Sequence, residues 1–295
     1  MDFTQLATGF CLIEAPRWDG NQLWFTDILQ GGFRCLRPDG HVDSWHTERK
    51  IIGGLAINED GSMICSGTGG IVWFNPETGA SGTLLDTIAG EPISGVNDIL
   101  PDGRGGLYFG TVDHISMLSG KDFFGSSGLY RLKPDKSVTR LHGGMQFSNG
   151  IGLSPDGGQV YIVDSGVGPY VTNLAPDGSF GETALLCELP GIDGLAIDAE
   201  GSLWGALIQT GEIARILPDG SIERRIPLPA GHPVSMCFGG PDYRDLFVTN
   251  AAPGAGEAAL DTSKVASVPR TAAIYRARSD VSGLPAGRTS FKLGG

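Results

Sequence analysis

The chain writes one short unit six times, and that repetition constrains its fold more than any single motif does. The unit is an apolar stretch, a turn built on Asp-Gly or a close equivalent, a second stretch rich in β-branched and aromatic residues, and a third ending in another such turn. Its first half reads APRWDGNQLWFTD from Ala15, GLAINEDGSMICS from Gly54 and DILPDGRGGLYFG from Asp98. It returns as GIGLSPDGGQVYIVD from Gly150, GLAIDAEGSLWGA from Gly194 and SMCFGGPDYRDLFVT from Ser235. The second turn recurs as CLRPDG at Cys35, RLKPDK at Arg131, NLAPDG at Asn173 and RILPDG at Arg215, with WFNPETG at Trp73 a looser copy. In such turns Pro presets φ and Gly accepts positive φ, so residues 150–153 and 159–163, for example, are predicted strands around a Pro-Asp-Gly turn.

Units spaced by about 40 to 55 residues, each holding several short strands and no amphipathic helix, match the four-stranded blade of a propeller. The sequence therefore predicts an all-β, six-bladed β-propeller with four-stranded blades, one domain over residues 1–295. Closing six blades on themselves removes most exposed sheet edges, and no end cap of the kind a solenoid needs is visible. The 47 glycines, scattered singly and in pairs, fit many tight turns between short strands. Two segments interrupt the rhythm: residues 113–128 in the third unit and the Ala/Gly/Pro-rich residues 251–270 in the sixth. Both are lid candidates, and the second reads as a mobile loop or a simple surface insertion.

Charge and cysteine usage narrow the partners. A formal charge of −12 without any basic run argues against a nucleic acid or an anionic membrane. The beginning, MDFTQLATGFCLIEAPRW, has neither a basic n-region nor a long apolar stretch, and no run approaches the roughly 18 apolar residues of a membrane span. Cys11, Cys35, Cys65, Cys187 and Cys237 are odd in number and far apart, which suits buried thiols in a reducing, cytoplasmic compartment.

Aligning the units on the apolar residues before the first turn exposes one polar position about four residues earlier. It is Glu14, Gly53, Asn97, Asn149 and Asp193 in units one to five, with Pro233 or a neighbour in unit six. Asn is a poor β-former, yet Asn149 sits where a buried strand should begin. The first strand of each blade lines the central channel, so Glu14, Asn97, Asn149 and Asp193 are expected to converge near one end of the axis. Two carboxylates and two amides converging without a basic partner call for a cation among them. Oxygen donors without Cys or His favour a hard divalent ion, calcium first, with magnesium, manganese and zinc as alternatives. The competing reading is that Asn149 and Asp193 cap strand ends by bonding to their own backbones, as Asx residues before Gly do.

At these residues the sequence resembles the senescence marker protein (regucalcin), gluconolactonase and luciferin-regenerating-enzyme family of six-bladed propellers. The resemblance runs from EAPRW at Glu14 through VNDIL at Val96, SNG at Ser148 and IDGLAID at Ile192. It continues into GSLWGA at Gly201, CFGG at Cys237 and LFVTNA at Leu246. It implies that Glu14, Asn149 and Asp193 hold a divalent cation, that Asn97 contacts metal or substrate, and that Asp193 is the general base. One departure stands out: members that bind sugar lactones resemble R-x-N-D at the third blade, whereas this chain has GVND, with Gly95 in place of the arginine. A glycine cannot supply a guanidinium fork to substrate oxygens. The acidic substrate contact expected after GT is replaced by Asp113 and His114 in GTVDHIS, and DFFG puts Phe123 and Phe124 on the expected lid.

These features point to metal-assisted hydrolysis of a lactone or ester less polar than a sugar lactone, with a small-molecule substrate as the only partner class implied. Asp193 is the expected base, and His114 is an alternative proton carrier because its ordinary pKa suits that task. Asn97, Asp113, Phe123, Phe124 and Asp164 are the expected substrate contacts. Asp98 is assigned a structural hydrogen-bonding role, and Trp18, Trp24 and Trp204 are assigned to packing between blades. No Gly-x-Ser-x-Gly elbow is present. The rivals are a lyase, an isomerase or a phosphotriesterase on the same site, and a calcium-binding propeller without catalysis.

Overall fold

Residues 1–175 and 179–294 are described by a computed structural model, in which six small sheets surround one axis with four strands to a blade. The Pro-Asp-Gly of NLAPDG lies outside the described residues. Each blade is an antiparallel meander running outward from the channel. The fourth, for example, runs Ser148–Leu153, Gln159–Asp164, Gly168–Leu174 and Phe180–Leu185. The inner strands are Ile13–Trp18, Leu55–Asn58, Gly95–Pro101, Ser148–Leu153, Ile192–Ile197 and His232–Gly239. Each packs beside the next, and the last packs beside the first, so the ring is complete.

Burial follows from this arrangement. A blade is apolar on both faces, and one apolar cluster fills each of the six gaps between neighbouring blades. Trp204 meets Phe238 edge-on across the gap between the fifth and sixth blades, with ring centroids 5.9 Å apart. Trp18 stacks on Phe247 across the gap between the first and sixth, at 5.5 Å. The recurrent Asp turns also explain themselves. Asp198 accepts from the backbone N–H groups of Glu200 and Ser202, each at 3.0 Å, and Asp102 accepts from those of Arg104 and Gly106, each at 2.8 Å. The side chain folds its own hairpin before the glycine completes it.

Three departures from a plain six-fold repeat shape the two ends of the channel. The sixth blade takes its outermost strand from the start of the chain: Thr4–Phe10 pairs with Ala272–Arg278. After that strand, the C-terminal segment crosses the far end of the channel. It bridges to Asp198 through Gly283, passes Gly105 through Ser290, and ends against Asn58 of the second blade, whose Oδ1 accepts from the Phe291 N–H at 2.9 Å. The third departure is helical. Residues 113–128 form a short helix, His114–Leu118, and residues 251–270 form a helix, Ala255–Leu260, followed by a 3-10 turn, Thr262–Ser267. The second segment was expected to be a mobile loop or a simple insertion. Instead its alanines Ala255 and Ala258 are fully buried in the cluster between the sixth and first blades, because small side chains let the helix lie close to the sheet ends.

Candidate functional site

The inner strands all start at one rim, and five of the six break register close to their start. The irregularities fall between Glu14 and Arg17, Val96 and Ile99, Ser148 and Ile151, Ile192 and Leu195, and Pro233 and Ser235. A bulge re-aims the side chain it carries; here the bulges carry Asn97, Asn149 and Asp193, and Glu14 directly precedes one. The non-glycine Ala15, directly after Glu14, is held at φ 47°, a strained value of the kind that clusters at functional sites. The glycine after Asp193 has a packing reason: a Cβ on Gly194 would lie 2.3 Å from Ser235 Oγ of the next inner strand.

Glu14, Asn149 and Asp193 lie close enough to influence one another, and Asn97 lies near the start of a neighbouring inner strand on the same rim. Glu14 and Asn149 are each 7% exposed and Asp193 is 9% exposed. The Asn149 amide is near enough to Asp193 to favour its charged form, and its Nδ2 donates to Ser165 Oγ at 3.3 Å. Asp193 Oδ1, although buried, has no hydrogen-bond partner among the described residues. Burial first, and the nearby Asp98 charge second, push the Asp193 carboxyl up to about 7, against the lowering effect of Asn149. Glu14 is likewise pushed well above its ordinary range by burial and by the charges of Asp193 and Asp98, while its Oε2 accepts from the Ala15 N–H at 3.0 Å. Asn97 is half-buried; its Nδ2 donates to the Ser148 carbonyl at 3.0 Å, and its Oδ1 occupies the space a Cβ on Gly53 would need, at 2.3 Å. The second blade therefore offers glycine at the aligned position because the third blade's amide fills it.

One premise of the sequence reading changes. A basic group is present in the channel: Arg17, buried, reaches Asp98 at 3.2 Å and the carbonyls of Pro16 and Ile99 at 2.9 and 3.0 Å. It compensates Asp98, as the structural role assigned to that residue requires, and leaves Glu14 and Asp193 without a hydrogen-bonded cation from the chain. The donor set suits a hard divalent ion: two carboxylates raised first by burial and then by neighbouring acidic charge, one orphaned carboxylate oxygen and flanking amides. Among the described residues no group of three or more His, Cys, Asp and Glu side chains is placed to hold a metal, so amide or backbone oxygens would have to complete such a shell.

The remaining expected contacts divide. Asp164 is fully engaged: its carboxylate accepts from the N–H groups of Gln146, Phe147 and Gly166 at 2.9, 3.2 and 3.1 Å. It pins the link into the fourth inner strand instead of facing a substrate. Asp113 caps the helix His114–Leu118 by accepting from the Ser116 N–H at 3.1 Å, and takes the Ser94 hydroxyl at 2.7 Å. These bonds hold its carboxyl below the ordinary range. His114 is only 2% exposed, its Nδ1 lies 3.2 Å from Thr68 Oγ1, and burial followed by the Arg49 charge lowers its pKa to about 4. A neutral imidazole of that low basicity is a poor proton carrier near pH 7. It explains Gly95 instead: a Cβ there would lie 2.3 Å from the His114 ring, so the glycine and the histidine form one space-filling pair.

Phe123 stacks on Phe124 with centroids 4.5 Å apart and meets Phe147 edge-on at 6.0 Å, forming an aromatic group beside the start of the fourth inner strand. Helix His114–Leu118 and helix Ala255–Leu260 touch, so the insertions of blades three and six meet over the mouth. A cavity of about 450 Å³ opens at the other end of the channel, between the ends of the inner strands and residues 284–287. None of Glu14, Asn97, Asn149 and Asp193 lines it; the two raised carboxylates lie at the roofed end.

The sequence matches the family described as SMP-30/Gluconolactonase/LRE-like region over residues 12–252. It is 26% identical to a pentonolactonase of Haloferax volcanii over 100% of both chains. It is 31% identical to regucalcin of Danio rerio over 92% of each. The crystal structure of a calcium-binding protein, regucalcin, from Agrobacterium tumefaciens has the same fold, with a TM-score of 0.79 at 22% identity over 98% of this chain and 97% of that one. Register breaks, converging carboxylates and a match spanning every inner strand lead to one conclusion: the chain belongs to the SMP-30/gluconolactonase/LRE-like family.

Proposed function

We propose that this chain is a lactone hydrolase of the gluconolactonase type, with Glu14, Asn149 and Asp193 holding one divalent cation, calcium in the first instance, and Asn97 beside it. The observation that carries this reading is the buried Asp193 Oδ1 without a partner, next to a second buried carboxylate. Lactonase relatives, such as the pentonolactonase, support the reaction class. Bound there, a divalent cation supplies fixed positive charge that polarises an ester carbonyl and stabilises a developing oxyanion. Asp193 is the general base: its free Oδ1 accepts the proton of the attacking water, while Asn149 steadies its other oxygen. Asn97, tied through Nδ2 to Ser148, offers Oδ1 to the substrate or the cation. The roof of two helices limits water to what the reaction needs. His114 acts as a fixed neutral wall, and Asp113 and Asp164 act by shaping the rim.

The substrate we propose is less hydroxylated than a sugar lactone. Gly95 supplies no guanidinium of its own and His114 fills its place, while Phe123, Phe124 and Phe147 present aromatic faces. Initial rates on a panel of aromatic, alkyl and sugar lactones, with chelator and after calcium is restored, test both parts. Loss on chelation with recovery on calcium, and a preference for the apolar rings, is the expected result. Turnover indifferent to chelation removes the cation, and a clear preference for gluconolactone removes the substrate assignment.

A further inference from the structure

Arg49 lies in the link between the first and second blades, on the same rim as Asn97, and is half-buried. Its Nε donates to the Ser66 carbonyl at 3.3 Å, and its Nη2 donates to the carbonyls of Thr68 and Gly70 at 3.4 and 3.0 Å. Of the other buried arginines, Arg34 donates to the Gly31 carbonyl and the Gln30 side chain, whereas Arg17, Arg131 and Arg215 each face a carboxylate. Among the described residues Arg49 faces none, and no group of the chain accepts from its Nη1. Burial without an anion lowers its pKa. The same guanidinium is close enough to depress His114, whose Nδ1 is taken by Thr68 and whose Nε2 has no hydrogen bond among the described residues. Ser66 ties this pair to the site: its carbonyl holds Arg49, while its hydroxyl donates to the Asn97 carbonyl at 2.5 Å.

We propose that Arg49 Nη1 and His114 Nε2 form a carboxylate-binding corner, so that the lactone carries one carboxylate on an otherwise apolar body. This rests on the lactonase reading for the reaction, but not for the binding. Three backbone carbonyls hold the guanidinium in place while leaving one amino group to donate outward, and a desolvated cation gains more from an anion than an exposed one does. In a chain of net charge −12, a rim cation that meets no carboxylate among the described residues is a charge that an acidic ligand can meet.

The direct test is calorimetric binding of tetrahydrofuran-2-carboxylate and its neutral carboxamide, with and without calcium, to the wild-type protein, Arg49→Met and Arg49→Lys. The expected result is that wild type favours the acid by at least about tenfold, that the preference disappears in Arg49→Met, is partly kept in Arg49→Lys and weakens with salt. Equal binding of acid and amide by wild type overturns the proposal without any variant, so a poorly folded Arg49→Met does not rescue it. A preference that vanishes when calcium is removed, and that Arg49→Met retains with calcium, assigns the anion to the cation and overturns it too. Turnover separates the two readings. On a γ-lactone carrying a carboxylate, Arg49→Met should raise KM about tenfold with kcat nearly unchanged, and should leave the amide lactone unaffected. Arg49-dependent binding without lactone turnover sinks the hydrolase and leaves the corner standing; turnover of both lactones independent of Arg49 does the reverse.

Discussion

Asp193 and Asp198 stand at the two ends of one fifth-blade strand, Ile192–Ile197, and both are buried, yet they live in opposite circumstances. Asp198 is satisfied on every side: two backbone N–H groups, the Trp204 indole at 2.9 Å and the Arg215 guanidinium at 2.8 Å. Arg215 in turn holds Glu200 and Glu223. Asp193 has one amide and an oxygen with nothing to accept from. A buried charge that the chain neutralises holds the blade; one left open is the group that the proposed hydrolysis would use. The strand thus joins a rivet at the far end to a socket at the roofed end.

The comparison breaks most visibly in activity. Asp193→Asn should lower kcat by about 10³-fold with the melting temperature unchanged or raised, since it removes a base and a buried charge together. Retention of near-normal turnover by that variant would dissolve the contrast. Asp198→Ala should do the opposite, costing about 3–5 kcal/mol in unfolding free energy by stranding Arg215, while the folded fraction keeps its kcat. Guanidinium titrations combined with active-site-normalised rates read both. Next comes ligand linkage: calcium at 100 times its Kd should stabilise wild type by about 2.7 kcal/mol, and should do nothing for Asp193→Ala, whereas a conservative Asp198→Asn keeps the shift.

The smallest effect is in pH. In chelated protein the Asp193 carboxyl binds its proton up to about 7, well above its unfolded value of 3.8, so the folded state holds more protons in that interval. Stability is then fully present below about 4 and is lost as pH rises through about 7. Asp193→Asn should remove this contribution, leaving the residual slope to Glu14 and Asp98, whose shifts have the same sign, and to His114, whose lowered pKa acts in the opposite sense. A melting profile whose slope between these values is the same with and without Asp193 would place the proton elsewhere.

Much of this was legible from repetition alone. The six-fold unit predicts blades because turn chemistry and strand composition are local, and the aligned polar position finds Glu14, Asn97, Asn149 and Asp193 because the repeat carries spatial meaning. What IDGLAID does not reveal is which of its two aspartates is left open. The answer lies in Arg215, 17 residues beyond Asp198, and a sequence does not display such pairings. The same limit hid Arg17 behind a Pro-Arg-Trp that reads as plain strand. It also made Asp164 and Asp113 look available, when backbone N–H groups and a helix end had already claimed them. Gly95 could be read as a lost arginine, but only the folded rim shows that the space belongs to His114.

The pairing of Thr4–Phe10 with Ala272–Arg278 has a consequence for how such a ring is made. Thr4–Phe10 is synthesised long before its partner Ala272–Arg278, so it must wait, unpaired and apolar at Phe10, while five blades assemble. Closure spans nearly the whole chain, and the entropy of that loop is spent in a single late event. The roofed socket, which borders the first and sixth blades, becomes competent only then: the ring cannot capture its ligand before it is whole.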